Sequence, residues 1–555
     1  MRLKNLVLIL GVVLLGVGMT GSIFFTYFAG SYTIQYRDLN SADGTRLASL
    51  LYTPTDLSSG DLPGVVVCHG FTSNKQAMQG IALELVKCGF VVIALDFRGH
   101  GESDGNLDAD RMLLVDDVHA AVEYLKNLPY VNNKSIGLVG HSMGGQAVMN
   151  MAIQYPTEIN ATVTIGMVGV NDTRYALNAT AISNLLIAMG GLEELFTVEQ
   201  ALAFLQNATG GLIDPVAKNT LYGDFIYGNA TKLVIAPWAD HILEISNDEI
   251  LQETCSWFRS SFYTGNTPVI TDGIRRTFLI LAVMGSGVAF FAFVSYLRPV
   301  VHRKIPYKPR KVEDPSQNKK IALYMGGYLL ATSIAFLLLL PLSVLFTQNL
   351  NLIMANYLLA LFIGYAIGLF CVFYLIHRFV DRDPRPFLRR IKEQVSKGFF
   401  EGSIFGILCF LYSFATLSLI LHWSMFDLIP TMREIGATLI LAIAIFPYAF
   451  LDQIYTRNLQ DHVLHGRIKE WFKVVILASL MKIGLFIPLL FVNLGLASLV
   501  IIILLIGLPF LEVLTTWIYM KSGRNLISPT IYITLILAWV LVALMPFGNY
   551  AFSFI

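Results

Sequence analysis

Charge is scarce in this chain of 555 residues. Only 14% are Asp, Glu, Lys or Arg, where soluble domains average about 25%. With 55% hydrophobic residues and a mean hydropathy of +0.62, that deficit excludes a disordered chain and an ordinary soluble globule. The 39 Lys/Arg barely exceed the 38 Asp/Glu, so no basic surplus exists to neutralise phosphates, and a plain nucleic-acid binder is excluded. Five cysteines are too few for a disulfide scaffold. Cys68, Cys88 and Cys255 read as small buried hydrophobes. Neither metal-ligand spacing nor a nucleotide-binding motif occurs, and no metal or cofactor is expected. What remains is a large membrane protein with a soluble part attached.

Hydropathy divides the chain in three. Residues 5–29 are almost wholly apolar, and about 20 such residues span a bilayer as a helix. Residues 31–272 read as soluble sequence. After Arg275-Arg276 the apolar runs return, with eight further spans expected near 277–297, 321–346, 353–376, 403–421, 435–451, 474–492, 496–519 and 530–548. The expected parts are therefore an anchor at 1–30, a soluble domain at 31–272 and a polytopic all-α membrane domain at 273–555. The first apolar stretch exceeds the roughly 7–15 residues of a signal-peptide core, which favours an uncleaved anchor.

The near-neutral total hides two opposite halves. Residues 31–272 carry 12 Lys/Arg and 26 Asp/Glu, giving −14, while the rest carries 27 and 12, giving +15. The basic residues cluster in every second loop, chiefly 298–320 and 377–398, with Arg457, Arg467, Lys469, Lys473, Lys521 and Arg524 beyond. Loops 347–352, 422–434 and 493–495 are nearly uncharged. The positive-inside rule makes the basic loops cytoplasmic. That places the N-terminus inside, with residues 31–272 and the C-terminus outside, in an integral, multi-pass cell-membrane protein. Arg275-Arg276 is the one misfit. Six Asn-x-Ser/Thr sequons, at Asn133, Asn160, Asn171, Asn178, Asn207 and Asn229, all fall in the soluble segment, as an exported face allows.

The soluble segment carries the chemistry. A buried-strand pattern at 64–68 runs into His69-Gly70-Phe71, followed by a helical stretch at 76–88. A second strand, 91–95, ends in Asp96-Phe97-Arg98-Gly99-His100-Gly101-Glu102-Ser103. Helix 110–127 leads to strand 135–139, which ends in Gly140-His141-Ser142-Met143-Gly144-Gly145 before another helix. Alternating strands and helices imply a mostly parallel sheet. Gly-x-Ser-x-Gly between strand and helix is a nucleophile elbow, a turn so sharp that Gly140 and Gly144 are needed on its flanks. It presents the Ser142 hydroxyl at a helix N-terminus, where the Met143 N–H can stabilise an oxyanion. The Phe71 N–H is the candidate second donor.

On these three motifs the segment resembles the α/β-hydrolase family, most closely its serine aminopeptidase/monoacylglycerol-lipase and prolyl-oligopeptidase-like branches. The resemblance implies an α/β fold and a triad in the order serine, acid, histidine. Strand 231–236 followed by Pro237-Trp238-Ala239-Asp240-His241 resembles the family's last strand and its histidine loop. It makes His241 the expected general base. Strand 184–189 precedes Gly190-Gly191-Leu192-Glu193-Glu194, where the family places Gly-x-x-Asp. Glu193 occupies the acid position, with Glu194, Asp214 and Asp224 as competitors, and with Asp240 expected to point away from His241. His69 and His100 read as turn residues, and His119 as a packed or solvated helix residue.

In the membrane half, ionisable residues inside spans are costly and so informative. Lys482 lies eight residues into one expected span and Glu512 seven residues from the end of the next, both about 11 Å deep at 1.5 Å per residue. They are expected to face each other as an ion pair, read as a clip between two neighbouring helices in preference to a site for an ion or polar substrate. Asp452-Gln453-Ile454-Tyr455-Thr456-Arg457 lacks both glutamates of the Glu-Glu-x-x-x-Arg motif of glutamic intramembrane proteases, and reads as a cytoplasmic helix end.

The expectation is a membrane-anchored serine hydrolase. It would act by Ser-His-acid acyl transfer on an acyl ester or peptide at the outer face, with the lipid bilayer as its partner. The alternative is a transporter or lipid-handling protein that uses the hydrolase fold as a binding or sensor domain.

Overall fold

The computed structural model describes residues 3–548 except 59, 108–111, 170–178, 212–214, 268, 302–316, 347–350, 382–383, 385, 397, 423–426, 465–468 and 484–495. The soluble half is built on one eight-stranded sheet. Its strands are β1 (Tyr32–Asn40), β2 (Arg46–Pro54), β3 (Leu62–Cys68), β4 (Val91–Leu95), β5 (Val131–His141), β6 (Ala161–Ile165), β7 (Leu185–Gly190) and β8 (Thr231–Ala236). They run in the order β1-β2-β4-β3-β5-β6-β7-β8. β1 pairs antiparallel with β2 and β2 antiparallel with β4, and every other pairing is parallel.

Parallel strands covered on both faces read as unbroken apolar runs, and β3 shows why. Val65 and Val67 enter the core under helices Gln79–Lys87 and Asp248–Phe262. Val66 and Cys68 enter the opposite core, under helices Leu113–Lys126, Met143–Gln154 and Val198–Ala208. Alternate side chains leave opposite faces of a strand, so both sides of β3 must be apolar. The antiparallel pair β1–β2, which the sequence reading did not single out, extends the sheet at the β4 edge.

Among the described residues, seven helices are long and apolar enough to cross a membrane: Leu3–Tyr27, Asp272–Pro299, Gln317–Phe346, Ala355–Phe379, Phe399–His422, Met432–Asp461 and Ile527–Leu544. The spans expected at 474–492 and 496–519 overlap helices Glu470–Ile483 and Leu496–Lys521, and residues 484–492 lie outside the described residues. The turn expected at Asn493-Leu494-Gly495 lies outside the described residues. The first two helices pack backbone to backbone. A Cβ on Gly18 would collide with Ala282, and one on Gly285 with Leu15. Small residues permit such approach where no hydrophobic effect drives helices together. This pair holds both ends of the soluble half. Both guanidinium groups of Arg275-Arg276 pair with Asp272, and Arg276 also pairs with Asp248.

The two halves are docked through weakly charged loops of the membrane half. Leu107 N–H donates to the Phe547 carbonyl and Phe547 N–H to the Gly99 carbonyl, both at 2.7 Å. Arg433 donates to the Gly105 carbonyl, and Gln76 to Asp427. Ile353, 1% exposed, joins the apolar core that holds Phe71, Met143 and Val168.

Candidate active site

The sequence-marked residues of the soluble half lie in loops at the C-terminal ends of the parallel strands: Phe71 after β3, Ser142 after β5, Glu193 after β7 and His241 after β8. Ligand sites of open α/β sheets form along this edge.

Ser142 sits at φ 52°, ψ −116°, a conformation costly for any residue with a Cβ and found where the surroundings enforce it. Here they do. The Ser142 N–H donates to the Ile165 carbonyl of β6 at 2.9 Å. A Cβ on Gly140 would collide with the Gly144 carbonyl, and one on Gly144 would lie 2.5 Å from the Cys68 carbonyl. Ser142 is half-buried at the N-cap of helix Met143–Gln154. As the first helical residue, Met143 has an N–H with no intrahelical acceptor.

The loop after β3 is held by two histidines. His69 Nδ1 donates to the Gly70 carbonyl at 2.7 Å, and its Nε2 accepts the Phe97 N–H at 3.1 Å. His69 is therefore the neutral Nδ1–H tautomer, and burial holds its pKa well below the usual value. His100 Nε2 lies 2.6 Å from the Phe71 carbonyl. A Cβ on Gly70 would stand 3.4 Å from the Ser142 Cβ, so the glycine brings the loop backbone against the elbow.

His241 is buried at 3% exposure. Its Nδ1 donates to Glu193 Oε2 at 2.8 Å, which leaves Nε2 as the nitrogen able to accept a proton. The Glu193 carboxyl is 1% exposed. Burial alone would raise its pKa, but the His241 hydrogen bond and charge outweigh that and hold it below the usual range. Among the competitors, Glu194 accepts the His241 backbone N–H, and Asp240 accepts the N–H groups of Ile242 and Leu243. Asp224 accepts the Ile226 N–H, and Asp214 lies outside the described residues. His141 Nε2 donates to the His241 carbonyl at 2.8 Å, with the two rings 4.8 Å apart. Burial pushes the His141 pKa down to about 3, so the ring is neutral. Among the described residues Ser142 Oγ takes part in no hydrogen bond.

Sequence reasoning missed Glu244. Its side chain is wholly buried, with Oε2 3.7 Å from His141 Nε2 and 3.9 Å from His241 Nδ1. The only signal was a carboxyl three residues beyond the candidate base, in a short 3₁₀ turn, Leu243–Ser246. These three side chains bring metal-ligating atom types within 4.8 Å of one another, as do the more exposed His119, Glu123 and Glu158. The hydrogens on both facing imidazole nitrogens of the buried group are already given to the His241 carbonyl and Glu193.

In the membrane half, Lys482 Nζ lies 2.8 Å from Glu512 Oε2 and 2.9 Å from Asp452 Oδ2. Arg457 reaches Glu512 Oε1 at 3.0 Å, and the Tyr328 hydroxyl donates to Asp452. Residues 452–457, read as a helix end, do lie in the last turns of helix Met432–Asn458. Every residue from Asp452 to Asn458 is buried, because Asp452 and Arg457 complete a charge-neutral network with Lys482 and Glu512.

Residues 63–193 match the family described as serine aminopeptidase, S33. The mouse protein named sn-1-specific diacylglycerol lipase ABHD11 is 32% identical over 121 residues, 21% of this chain and 38% of that protein. An uncharacterised Pseudomonas aeruginosa protein is 31% identical over 145 residues, 25% of this chain and 39% of that one. The chain thus spans about two fifths of the length of these relatives. Among solved structures, an esterase from Pyrococcus furiosus aligns with 41% of this chain and 93% of its own at 20% identity and a TM-score of 0.33. With its family match, mostly parallel eight-stranded sheet and flanking helices, the soluble half of this chain is an α/β-hydrolase domain, joined to a bundle of apolar helices.

Proposed function

We propose that the protein is a membrane-anchored serine hydrolase of the esterase or lipase type, acting by Ser142-His241-Glu193 acyl transfer. The observation that carries this reading is the 2.8 Å hydrogen bond from His241 Nδ1 to Glu193, on the same sheet edge as a strained serine at a helix N-cap position. Glu193 fixes the imidazole tautomer and stabilises the imidazolium. His241 Nε2 takes the Ser142 proton as Oγ attacks the substrate carbonyl, then passes it to the leaving group. Water repeats the cycle on the acyl-enzyme. The N–H groups of Met143 and Phe71 are the oxyanion donors. The Ser142–His241 hydrogen bond closes as substrate binds, since such bonds often tighten only in the complex.

An acyl ester suits the site better than a peptide, because a loop of the membrane half adds Ile353 to the same apolar core as Phe71 and Met143. The lipase name of the mouse relative points the same way. By the positive-inside rule the domain faces outward, and the loops docked to it belong to the weakly charged set. The second reading, a transporter or lipid-handling protein with a sensor domain, draws on the Asp452-Arg457-Lys482-Glu512 network, since charges inside spans mark pathways more often than anchors.

Labelling the full-length protein with a fluorophosphonate probe tests the first reading. Wild type should label, and Ser142→Ala should not. A well-folded protein that fails to label sinks the enzyme assignment. Acyl esters of graded chain length, set against aminoacyl arylamides, then separate esterase from peptidase.

A further inference from the structure

The carboxyl of Glu244 has no assigned role, yet its surroundings are built for it. Its Oε1 accepts the Gly190 N–H, while Oε2 has no hydrogen-bond partner among the described residues. Glu193 Oε2 and Glu244 Oε2 lie 2.8 and 3.9 Å from the same nitrogen, His241 Nδ1. Room for this comes from Gly166, at φ +58°, where a Cβ would collide with Glu244 Oε2 and stand 3.1 Å from His241 Cε1. The titratable groups facing Glu244 are His141 from β5, His241 from the loop after β8, and Glu193 and Glu194 from the loop after β7. Among the described residues no Lys or Arg pairs with it. Two buried carboxyls beside one imidazole nitrogen do not both ionise, and the one whose charge is matched by an imidazole N–H is Glu193.

We propose that Glu244 is a positioning residue: it carries the proton of a two-carboxyl unit and donates its O–H to Glu193, keeping that unit's single charge on the oxygen that faces His241. The inference rests on reading Ser142, His241 and Glu193 as the triad. Burial first, and then the Glu193 charge, push the Glu244 pKa well above its usual value, in keeping with this arrangement. It also explains how a glutamate serves where the family has aspartate. The longer Glu193 side chain has more freedom to lose, and a donated hydrogen bond from behind removes it. If Glu193 is deleted, Glu244 loses its negative neighbour, ionises, and becomes the nearest carboxylate to His241 Nδ1.

The test follows the fluorophosphonate labelling rate of the full-length protein in detergent from acid to alkaline pH. Glu244→Ala should slow labelling roughly 10- to 100-fold, the worth of a hydrogen bond to a charged group. Glu244→Gln should recover most of that loss, because an amide still donates. Glu244→Gln should also differ from wild type in the pH dependence of labelling, because only the carboxyl can ionise there. Glu193→Ala should keep a residual rate that Glu193→Ala/Glu244→Gln lowers by a further factor of about 10. The proposal is overturned if Glu244→Gln, with a wild-type melting temperature, is as slow as Glu244→Ala, or if the double variant matches Glu193→Ala. If wild type and Ser142→Ala label equally, the triad reading fails instead. The infrared band of a protonated carboxyl, present in wild type and lost in Glu244→Gln, then still reports the proton on Glu244, and its absence from wild type refutes it.

Discussion

Lys482 is the cation whose removal the membrane half should tolerate least. Its ammonium is shared between Asp452 and Glu512 at 2.9 and 2.8 Å, and all three side chains are 5% exposed or less. Arg457 balances the second carboxylate through Glu512 Oε1 at 3.0 Å, while Thr516 and Tyr328 donate hydroxyls to Glu512 and Asp452. The set is neutral, two cations against two anions. Lys482→Met keeps the volume and length of the side chain but leaves one buried negative charge uncompensated, which costs about 3–5 kcal/mol. Asp452→Asn/Lys482→Met restores neutrality and leaves the Arg457–Glu512 pair intact. The double variant should therefore be the more stable of the two, with a coupling of about 0.5–3 kcal/mol. Thermal unfolding of the detergent-solubilised full chain, followed by tryptophan fluorescence, measures both. The reasoning is refuted if Lys482→Met melts with wild type, or if the double variant melts below the single. The first outcome would mean the network is hydrated and screened, and the second that neutrality is not what holds it together.

Two further outcomes follow from the soluble half. Ile353→Asp should put a carboxylate into the hydrolase core at a cost of several kcal/mol, loosening the docking. Limited proteolysis should then release the soluble half faster than in wild type, and unchanged protection would show that Ile353 is not a docking residue. Stability should also fall with acidity. Burial holds His141 neutral down to about 3, against 6.5 for a free imidazole, and lowers His69 and His100 too. Between pH 6.5 and about 3 the unfolded chain binds protons that the folded one refuses. Stability is therefore complete above 6.5 and lost as pH drops, by up to about 1.4 kcal/mol per pH unit for His141 alone. Melting curves across that window check the slope, which His141→Asn should reduce.

Much of this protein is local and so legible in the chain. The elbow needs only a buried strand, two glycines and a helix within a few residues, and its strain at Ser142 is already implied by Gly140 and Gly144. The apolar spans announce themselves because a bilayer imposes a length on every helix that crosses it. Lys482 and Glu512 stand out because charge inside such spans is rare. Boundaries were softer. The strand expected at 135–139 runs from Val131 to His141.

The sequence by itself determined the fold class, the elbow and the division into an acidic soluble half and a basic membrane half, since each follows from composition or short-range pattern. Only tertiary structure decided which carboxyls meet which cations. Glu193 and His241 are 48 residues apart and touch because β7 and β8 are parallel neighbours whose ends share one edge. Glu244 joins them because Gly166 leaves it space. Arg457 counts with a basic cytoplasmic rim when read by spacing, yet helix packing turns it inward onto Glu512. Burial makes the difference in each case: in water these groups would be indifferent to one another, and inside the protein an unpartnered charge costs too much to leave.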